Sequence, residues 1–218
     1  MIPILKNTQL FAGVKDEDIA SMLNCLNASL KTYQRGYYVY RQGESFSDVA
    51  ILIEGKLHIQ RDDYWGNSNI LSAVEAGELF GEAYAAPDGG AMLHNVIAVE
   101  DSEVLFLDIT RILTACSSAC RYHTAVIQNL FFAISGKNRQ LVRKLGHMSR
   151  RTTREKLMSY LSEESKRQNS PSFAIPFNRQ QLSDFLSVDR SALSRELCKM
   201  RDDGLIRFEK NRFTLIQR

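Results

Sequence analysis

The segment spanning residues 178–204, NRQQLSDFLSVDRSALSRELCKMRDDG, decides how the C-terminal part of the chain folds. Asn178 is followed three positions later by Gln181, which is the capping-box pattern that opens a helix. Ser187-Val188-Asp189 then interrupts the apolar periodicity, and Asp189 supplies a second N-terminal cap. Two short amphipathic helices separated by such a tight break predict a helix-turn-helix.

Each of these two helices is expected to bury one side. Apolar residues recur at helical spacing, so they share a face that can pack on a core. They are Leu182, Phe185 and Leu186 in the first helix, and Leu193, Leu197 and Met200 in the second.

The opposite face of the second helix is rich in hydrogen-bond donors. It carries Arg190, Ser191, Ser194 and Arg195, at the spacing i, i+1, i+4, i+5. An Arg binds guanine edges or phosphates through two hydrogen bonds, and a Ser can donate to either. Cations at the start of a helix oppose its dipole, so helix stability does not explain them. We predict that these four residues read DNA bases; the alternative is an ordinary helical hairpin with a solvated polar face.

The charge of the chain is divided unevenly. Residues 136–218 hold 19 Lys and Arg against 9 Asp and Glu, whereas residues 1–135 hold 9 against 16. The net charge of +3 over all 218 residues therefore hides a basic C-terminal part. We expect a polyanionic partner for this part alone.

Further polar and basic residues around the helix-turn-helix are predicted to hold DNA phosphates and so to position the domain. They are Arg179, Gln180, Lys199, Arg207 and Lys210. A hairpin is predicted over 205–209 and 212–216, with Lys210-Asn211 as its turn, and is interpreted as a wing that also carries Arg212. A dimer would cover two half-sites about one helical turn, ~34 Å, apart.

The first 108 residues are predicted to begin with helix and to continue as short strands. Residues 1–27 are predicted to be helical, with acids at 16–18 in a first turn and an apolar face at 19, 22, 23 and 26. Residues 28–108 contain short alternating or β-branched runs separated by turn residues, which favours an antiparallel sandwich or barrel. The runs are 31–33, 37–40, 49–53, 56–60, 70–74, 96–99 and 104–107.

Residues 109–146 are predicted to form one long helix, since they contain no Pro and only Gly136 in their interior. Such a helix is too long to be buried within one small β domain, so we expect it to pack against its twin in a second copy. Gly146 is interpreted as its end or hinge, and a helix over 153–167 and a strand over 173–175 follow. The apolar seam of the long helix is predicted to be Ala119, Val126, Leu130, Ala133, Leu141 and Leu145.

This order of elements, together with two motifs, resembles the cAMP receptor protein and fumarate–nitrate reduction regulator family over nearly the entire chain. One motif is Gly43-Glu44 followed by VAILIEGKL at 49–57, and the other is ELFGE at 78–82, which looks like the family's phosphate-binding cassette. The resemblance implies an α+β fold. Its parts are an N-terminal antiparallel β-roll (a cyclic-nucleotide-binding-like jelly roll) at 1–108, a long central dimerisation helix at 109–146, and a C-terminal winged helix-turn-helix at 147–218.

The resemblance also implies a function. It implies a homodimer, paired through residues 109–146, that binds a double-stranded DNA operator, acts with RNA polymerase and is controlled by its sensor domain. Matched to the family, Arg190 and Arg195 fall on arginines of the recognition helix, whereas Ser191 falls on a frequent Glu and Ser187 on a common Gly. The usual TGTGA or TTGAT half-site is therefore not expected.

The sensor site departs from the cyclic-nucleotide-binding members of this family. Those members pair the Gly-Glu segment with a downstream Arg-Ser, because a cyclic phosphate in a partly dry pocket needs a fixed cation. Met92-Leu93 stand at that position, and no Arg or Lys occurs between Arg61 and Arg111. An unpaired buried phosphate would cost on the order of several kcal/mol. We therefore expect no tight binding of cAMP or cGMP.

Other members of the family bind an iron–sulfur cluster or haem. The cluster needs four thiolates, most of them near the N-terminus, where only Cys25 lies. His58 and His94 are available for haem, although a lone His is more often structural. Cys116 and Cys120 share a helical face and could act as a thiol redox switch; the favoured interpretation is two small apolar packing residues.

A small effector is expected in an apolar and aromatic pocket between the β-roll and the long helix. The pocket candidates are Leu79, Phe80, Gly81, Glu82, Tyr84, Met92, Leu93, Tyr122 and Val126. A filled core in a regulator that needs no effector is the alternative.

Several other classes of protein lack support in the sequence. It contains no nucleophile elbow, metal-ligand cluster, P-loop or carboxylate pair beside a His of the kind that enzymes use. No apolar run approaches the roughly 18 residues of a membrane span, and the N-terminus lacks the regions of a signal peptide. We expect a cytoplasmic protein without enzymatic activity, metal, cofactor or membrane contact.

Overall fold

The computed structural model describes residues 1–62, 68–86, 88–114 and 121–216. These residues form two units, 1–135 and 136–218. The division between the two units falls inside helix Arg121–Met148.

The N-terminal unit begins with two helices, α1 (Ile2–Lys6) and α2 (Asp16–Cys25). The acids at 16–18 occupy the first turn of α2, where they complement the helix dipole. Ile19 and Met22 are buried, and Leu26 is buried just beyond the last turn. The predicted apolar face of this helix is therefore confirmed.

Strands of the N-terminal unit form two four-stranded antiparallel sheets. The first has the order β1 (Ser29–Tyr33), β8 (Ser102–Asp108), β3 (Asp48–Glu54), β6 (Leu79–Phe80). The second has the order β2 (Tyr38–Tyr40), β7 (Asn95–Ala98), β4 (Leu57–Asp62), β5 (Ser68–Val74). All seven predicted runs are strands, and the antiparallel β-roll is confirmed.

Strand β3 is the centre of this unit, because it is buried on both faces. Val49, Ile51 and Ile53 pack with the N-terminal helices, whereas Ala50 and Leu52 face the interior of the roll. The turn after β3 requires Gly55, whose φ is +90° and whose missing Cβ would lie 2.5 Å from the carbonyl oxygen of Asp101. This double burial explains why the run VAILI has no polar alternation.

The predicted single helix over 109–146 is wrong at its start. A short helix, α4 (Ile109–Leu113), is capped by Asp108, whose Oδ1 accepts from the Thr110 amide at 2.8 Å. Thr114 is extended, so α4 ends there. The long helix, α5, spans Arg121–Met148 and continues two residues beyond Gly146. A helical pattern without Pro gave no sign of the break, because no strong helix breaker marks it.

The predicted apolar seam of α5 combines two different faces. Val126, Leu130 and Ala133 are buried within the N-terminal unit, whereas Leu141 and Leu145 are exposed. Ala119 lies outside the described residues. Residues 126, 130 and 133 therefore belong to the core of their own protomer, which apolarity alone could not reveal.

The C-terminal unit contains a three-helix core and a small sheet. The helices are α6 (Thr153–Arg167), α7 (Arg179–Leu186) and α8 (Arg190–Asp202), and the strands are β9 (Ser172–Ala174), β10 (Ile206–Glu209) and β11 (Arg212–Leu215). The antiparallel sheet has the order β10-β11-β9. The predicted strand before α7 and the predicted wing hairpin are both present, within one residue at each end.

One apolar cluster joins these elements. Leu157 and Leu161 of α6 meet the buried faces of α7 and α8 and the inward side of the sheet. Leu182, Leu186, Leu193, Leu197 and Met200 are all fully buried, and Phe185 is partly buried against the cluster. The predicted faces of the helix-turn-helix are therefore confirmed.

Candidate nucleic-acid interface

The first helix of the helix-turn-helix begins at the predicted capping box. The Asn178 side chain accepts from the Gln181 amide at 2.9 Å, and the Gln181 side chain accepts from the Asn178 amide at 2.9 Å. Two amides that helix geometry leaves unpaired are thus satisfied. This arrangement gives α7 a defined start.

The turn between α7 and α8 is made by Ser187 in the left-handed region, with φ 50° and ψ 60°. Such a conformation favours Gly, and a Ser tolerates it at an energetic cost. Lys156 of α6 donates from Nζ to the carbonyl oxygens of Leu186 and Ser187, at 3.2 and 3.3 Å. A cation at these otherwise unpaired carbonyls stabilises the end of α7 and the turn.

The second helix, α8, begins at Asp189 as predicted. The Asp189 carboxylate accepts from the Ala192 amide at 2.8 Å and from the Ser191 hydroxyl at 2.5 Å. These two bonds hold the pKa of Asp189 below its usual value, with the Ser191 bond as the larger cause. Ser191 therefore donates its hydroxyl hydrogen to the residue that caps its own helix.

The exposed face of α8 presents two guanidiniums. Arg190 and Arg195 are both exposed, and the residues between them that face inward are buried. Ser194 is half-buried, and its hydroxyl donates to the carbonyl oxygen of Arg190 at 2.9 Å. The four predicted base-reading residues thus lie on one face, but the two hydroxyls already have acceptors within the helix.

An ion-pair cluster that was not predicted from the sequence ties α8 to α6. Arg154 contacts Glu196 at 2.5 Å and Asp203 at 2.7 Å. The hydrogen bond that Arg154 donates to Glu196 is the main reason that the pKa of Arg154 is raised. The signal available in the sequence was Glu196, an acidic residue in the middle of α8 among basic neighbours. These contacts fix the end of the recognition helix on the domain.

The predicted phosphate-binding residues have different surroundings. Lys199, Arg207 and Lys210 are exposed. Gln180 is also exposed, and its amide donates to Asp184 at 2.8 Å. The Arg179 guanidinium lies 4.9 Å from the Phe208 ring centroid and 5.3 Å from that of Phe213, and burial lowers its pKa. Arg179 therefore packs on aromatic rings as well as carrying charge.

The wing turn is tied to the strand that enters α7. Asn211 donates from Nδ2 to the Ile175 carbonyl at 3.0 Å, and the Ile175 amide donates back to the Asn211 carbonyl at 2.9 Å. Lys210 sits in the turn with φ 50°. A groove runs between this turn and the start of α7, lined by Pro176, Phe177, Asn178, Arg179, Gln181, Lys210 and Asn211.

The last turn of α5 is anchored on the same unit by His147, another residue that sequence analysis missed. His147 is buried, with Nδ1 2.9 Å from the Ser159 hydroxyl and Nε2 3.3 Å from the Glu163 carboxylate. Its ring packs edge-on against Tyr160 at 5.7 Å. Burial lowers the pKa of His147, and the carboxylates of Glu163 and Glu164 oppose this shift.

In the β-roll, Met92 lies beside the Gly43-Glu44 segment. The Gly43 amide donates to the Met92 carbonyl at 2.8 Å, and the Met92 amide donates to the Glu44 carbonyl at 2.8 Å. The Met92 side chain is buried in the roll, and Leu93 points outward. The nearby Tyr40 ring stacks on Phe46 at 3.8 Å between centroids. This segment therefore presents apolar atoms to the interior.

Comparison with known proteins agrees with both halves of this architecture. Residues 30–119 match the family Cyclic nucleotide-binding domain, and residues 155–218 match the family Crp-like helix-turn-helix domain. The chain is 25% identical over 203 residues to the cyclic AMP receptor protein of Thermus thermophilus, covering 93% of this chain and 90% of that protein.

Solved structures agree as well. The Thermus thermophilus catabolite activator protein matches 96% of this chain and 94% of its own, with 23% identity and a TM-score of 0.52. CprK complexed with OCPA matches 92% of each chain, with 16% identity and a TM-score of 0.65. The chain belongs to the cAMP receptor protein and fumarate–nitrate reduction regulator family. Regulators of this family are transcription factors with a winged helix-turn-helix.

Within this family, the chain departs from the cyclic-nucleotide pattern in an identifiable place. The backbone of Met92, one of the two residues aligned with the family's Arg-Ser, pairs with Gly43-Glu44. Gly81, with φ 82°, precedes the short helix α3 (Glu82–Ala85), as expected for the cassette. A left-handed Gly81 followed by a short helix is thus present in the segment that was aligned with the cassette.

The predicted effector-pocket residues fall into separate groups. Val126 is buried in the cluster that contains the N-terminal helices, with Leu79 and Tyr122 packed against it. Phe80 and Met92 are buried in the interior of the roll, with Tyr84 packed against them. Gly81, which caps α3, and Glu82, the first residue of α3, are half-buried, and Leu93 is exposed.

The two histidines considered for haem binding lie in the β-roll. His58 is half-buried in β4. The Nδ1 atom of His94 is buried without a hydrogen-bond partner among the described residues, and burial lowers the pKa of this ring. Cys116 and Cys120 lie outside the described residues. In the part of the chain that is described, no cluster of three or more potential metal ligands occurs, and no helix is long and apolar enough to cross a membrane.

Proposed function

We propose that this protein is a homodimeric transcriptional regulator that inserts α8 into the major groove of a palindromic operator. One observation carries the proposal: Arg190 and Arg195 are exposed on a helix whose other face is fully buried through Leu193 and Leu197. Each Arg can make two hydrogen bonds to a guanine edge. Because the two Ser hydroxyls are already bonded, the arginines carry most of the base reading.

Phosphate contacts would position the domain. Lys199 follows the reading face of α8, and Arg207 and Lys210 extend from the wing. The groove between the wing turn and α7 is lined by the cationic residues Arg179 and Lys210, among others. These groups suit a phosphate oxygen, and they would set the position of α8 without reading sequence.

Dimerisation is proposed through the central helix within residues 109–146. Phe131, Ile134, Leu141 and Val142 expose large apolar side chains on α5. Apolar exposure of this extent marks an interaction surface. A dimer of this kind would bind two half-sites and act in the cytoplasm with RNA polymerase, as the family does.

We propose that the sensor domain responds to a small organic effector rather than to cAMP. The support is the buried apolar Met92 at the position aligned with the family's Arg. A second candidate, an effector-independent regulator, is favoured by the stacked Tyr40 and Phe46 rings, which fill the adjacent space. A thermal-shift screen of metabolites distinguishes the two, since a ligand that binds the folded state raises the melting temperature.

The DNA-binding proposal is tested by Arg195→Ala. Double-stranded operators are first selected from random sequence with the wild-type protein, and affinities are then measured by fluorescence anisotropy. Loss of a bidentate base contact should weaken operator binding by about 1–3 kcal/mol per half-site. Binding to unrelated DNA and the molecular mass of the dimer should not change.

The matched control is Lys166→Ala, which removes an exposed cation from the end of α6, away from the recognition helix. It should leave operator affinity within about twofold, as for other exposed substitutions. Operator affinity that survives Arg195→Ala would show that α8 is not the base-reading helix.

The cyclic-nucleotide prediction is tested by calorimetry. Because an apolar Met92 stands at the position aligned with the family's Arg, cAMP should show no binding stronger than about millimolar. The Thermus thermophilus cyclic AMP receptor protein serves as the comparison under the same conditions. A submicromolar affinity for cAMP would contradict the assignment of Met92-Leu93.

A further inference from the structure

One guanidinium from α6 contacts two acids of the recognition helix. Arg154 lies in the first turn of α6, and its Nε donates to Oε1 of Glu196 at 2.5 Å. Its Nη2 lies 2.7 Å from Oδ2 of Asp203, the residue that ends α8. Glu196 and Asp203 are separated by two helical turns, so they lie on the same side of α8, about 10 Å apart along its axis. A single side chain therefore holds α8 at two points.

The backbone that carries Arg154 is itself fixed, because a capping box closes the first turn of α6. The Thr152 hydroxyl accepts from the Glu155 amide at 3.1 Å, and the Glu155 carboxylate accepts from the Thr152 amide at 3.1 Å. Lys156, in the same turn, holds the two carbonyls that close the turn before α8. The first turn of α6 thus contacts the chain at both ends of α8.

The ion pairs of Arg154 add little to the stability of α8. The side chains of Arg154 and Asp203 are 39% and 48% exposed, and ion pairs that water reaches contribute little to folding. The buried face through Leu193 and Leu197 already attaches the helix to the domain. Because apolar burial is non-directional, it resists separation of the helix from the core more than rotation of the helix about its axis. The directed hydrogen bonds of a guanidinium supply the missing restraint on rotation.

Rotation of α8 determines where its exposed guanidiniums point. Side chains reach roughly 6 Å from the axis of a helix, so a rotation of about 20° moves their ends by about 2 Å. Hydrogen bonds form at about 2.7–3.2 Å, and a shift of this size removes a bidentate contact to a guanine edge. Glu196 directly follows Arg195, so α8 is held beside a residue that is proposed to read bases.

We propose that Arg154 is a positioning residue for base reading, which fixes the rotation of α8 by holding Glu196 and Asp203. The fixed rotation aligns Arg190 and Arg195 with base edges in the major groove. The inference rests on the proposed DNA-binding function and adds a residue outside the helix-turn-helix that controls its sequence specificity. In this role Arg154 acts through α8 and makes no phosphate contact of its own.

The experiment compares Arg154→Met with the wild type in binding to the selected operator and to random DNA. Met keeps much of the aliphatic length of Arg without its charge or its donors. The ratio of the two affinities should fall by about fivefold or more, which is the lower limit for loss of one bidentate base contact. An unfolded fraction would lower both affinities equally and cancel in the ratio. The salt dependence of operator binding should not change, whereas loss of a phosphate contact would reduce its slope by about 2 in a dimer.

Removal of the acids separates positioning from simple electrostatics. Asp203→Ala takes a negative charge away from the DNA-binding surface, which by itself favours binding to any DNA. Affinity for random DNA should therefore rise, while the ratio of operator to random affinity should fall by about fivefold or more, as in Arg154→Met. Glu196→Ala should have the same two effects, because it removes the other acid that Arg154 holds.

The matched control is Asp202→Ala, which removes an acid from the neighbouring position. Asp202 pairs with Arg201 at 2.9 Å, so its ion pair stays within α8. This variant should bind operator and random DNA more tightly by the same factor and keep their ratio within about twofold, as for other exposed substitutions. Circular dichroism checks that each variant retains the helix content of the wild type.

Three outcomes would contradict the inference or its basis. If the wild type prefers the operator and both Arg154→Met and Asp203→Ala prefer it equally, α8 is positioned without Arg154, and the DNA-binding function stands. If Arg154→Met reduces the salt slope, Arg154 is a phosphate ligand rather than a positioning residue. If the wild type itself prefers no DNA sequence, the proposed function is wrong.

Discussion

Hydrogen bonds within α8 decide which donors on its exposed face remain available to a partner. Ser191 donates to Asp189 and Ser194 donates to the Arg190 carbonyl, so each hydroxyl retains acceptor capacity only. Arg190 and Arg195 are exposed and keep five donors each. The four side chains share one face of α8, but only the two arginines keep free hydrogen-bond donors.

His147 is the residue whose ionisation most directly concerns the C-terminal unit. Its ring is buried between Ser159, Glu163, Tyr160 and Phe185. Desolvation penalises the imidazolium and lowers the pKa of His147, against the attraction of Glu163 and Glu164 and with a smaller repulsion from Arg150. The neutral ring is therefore the form that the fold prefers.

This preference gives stability a dependence on pH. In the unfolded chain the imidazole has its ordinary pKa of about 6.5, which is above the folded value, so the unfolded state binds the proton more tightly. The free energy of unfolding should be insensitive to this group above about pH 7.5 and should fall as the pH drops through about 6.5.

The measurement compares wild type with His147→Gln, which cannot titrate, in urea denaturation from pH 5 to pH 8. The wild type should lose more stability on acidification than the variant, and the two should run parallel above about pH 7.5. Equal slopes at acidic pH would show that His147 does not titrate with unfolding. The other three histidines are common to both proteins and cancel in the comparison.

At the scale of elements, burial of one helical face holds the recognition helix in place. Leu193 is fully buried between α6 and α7, and Leu197 and Met200 continue the same face. Arg154 adds ion pairs to Glu196 and Asp203 at the far end of the helix. Apolar burial contributes most of the attachment, because the ion pairs are partly exposed.

Leu193→Ala should therefore destabilise the C-terminal unit by about 2–5 kcal/mol, through lost apolar burial and a residual cavity. Lys199→Ala, on the exposed face of the same helix, should change stability by less than about 0.5 kcal/mol. Urea denaturation followed by circular dichroism provides both values. Comparable losses in the two variants would argue that α8 is not held by its apolar face.

Elements with strong local patterns were predictable, and elements without them were not. The capping box at Asn178 and the cap at Asp189 placed α7 and α8 correctly, because these signals are short and local. The two-residue strand β6 and the end of α4 at Thr114 carry no such signal. Both depend on pairing or packing with residues that are far away in the sequence. A local periodicity of apolar residues carries no information about such contacts.

At the scale of the whole molecule, charge is separated between the two units. Residues 136–218 carry 19 basic and 9 acidic side chains, and residues 1–135 carry 9 and 16. The net positive charge of residues 136–218 suits a polyanion, whereas the net negative charge of residues 1–135 disfavours one. Association with DNA should consequently depend strongly on salt.

The salt dependence of operator affinity reports the number of phosphate contacts. Each phosphate contact contributes about −0.9 to the slope of log K against log salt, so Lys210→Ala should reduce its magnitude by about 2 in a dimer. The measurement is operator affinity by anisotropy between 50 and 200 mM KCl. Lys6→Ala, in the acidic unit, is the control and should leave the slope unchanged. An unchanged slope in Lys210→Ala would remove Lys210 from the phosphate contacts.

The sequence by itself determined the β-roll strands, the helix-turn-helix with its caps, the wing and the separation of charge. These features rest on alternation, helical spacing, capping and composition, all of which are local or additive. Only the tertiary structure decided that Val126, Leu130 and Ala133 enter the core of their own protomer while Phe131 and Ile134 stay exposed. It also decided that Arg179 lies on aromatic rings and that His147 is buried. Each of these features depends on which residues, far apart in the sequence, come into contact. Two apolar or two charged residues look alike in the sequence, so their type alone does not specify which of them becomes buried.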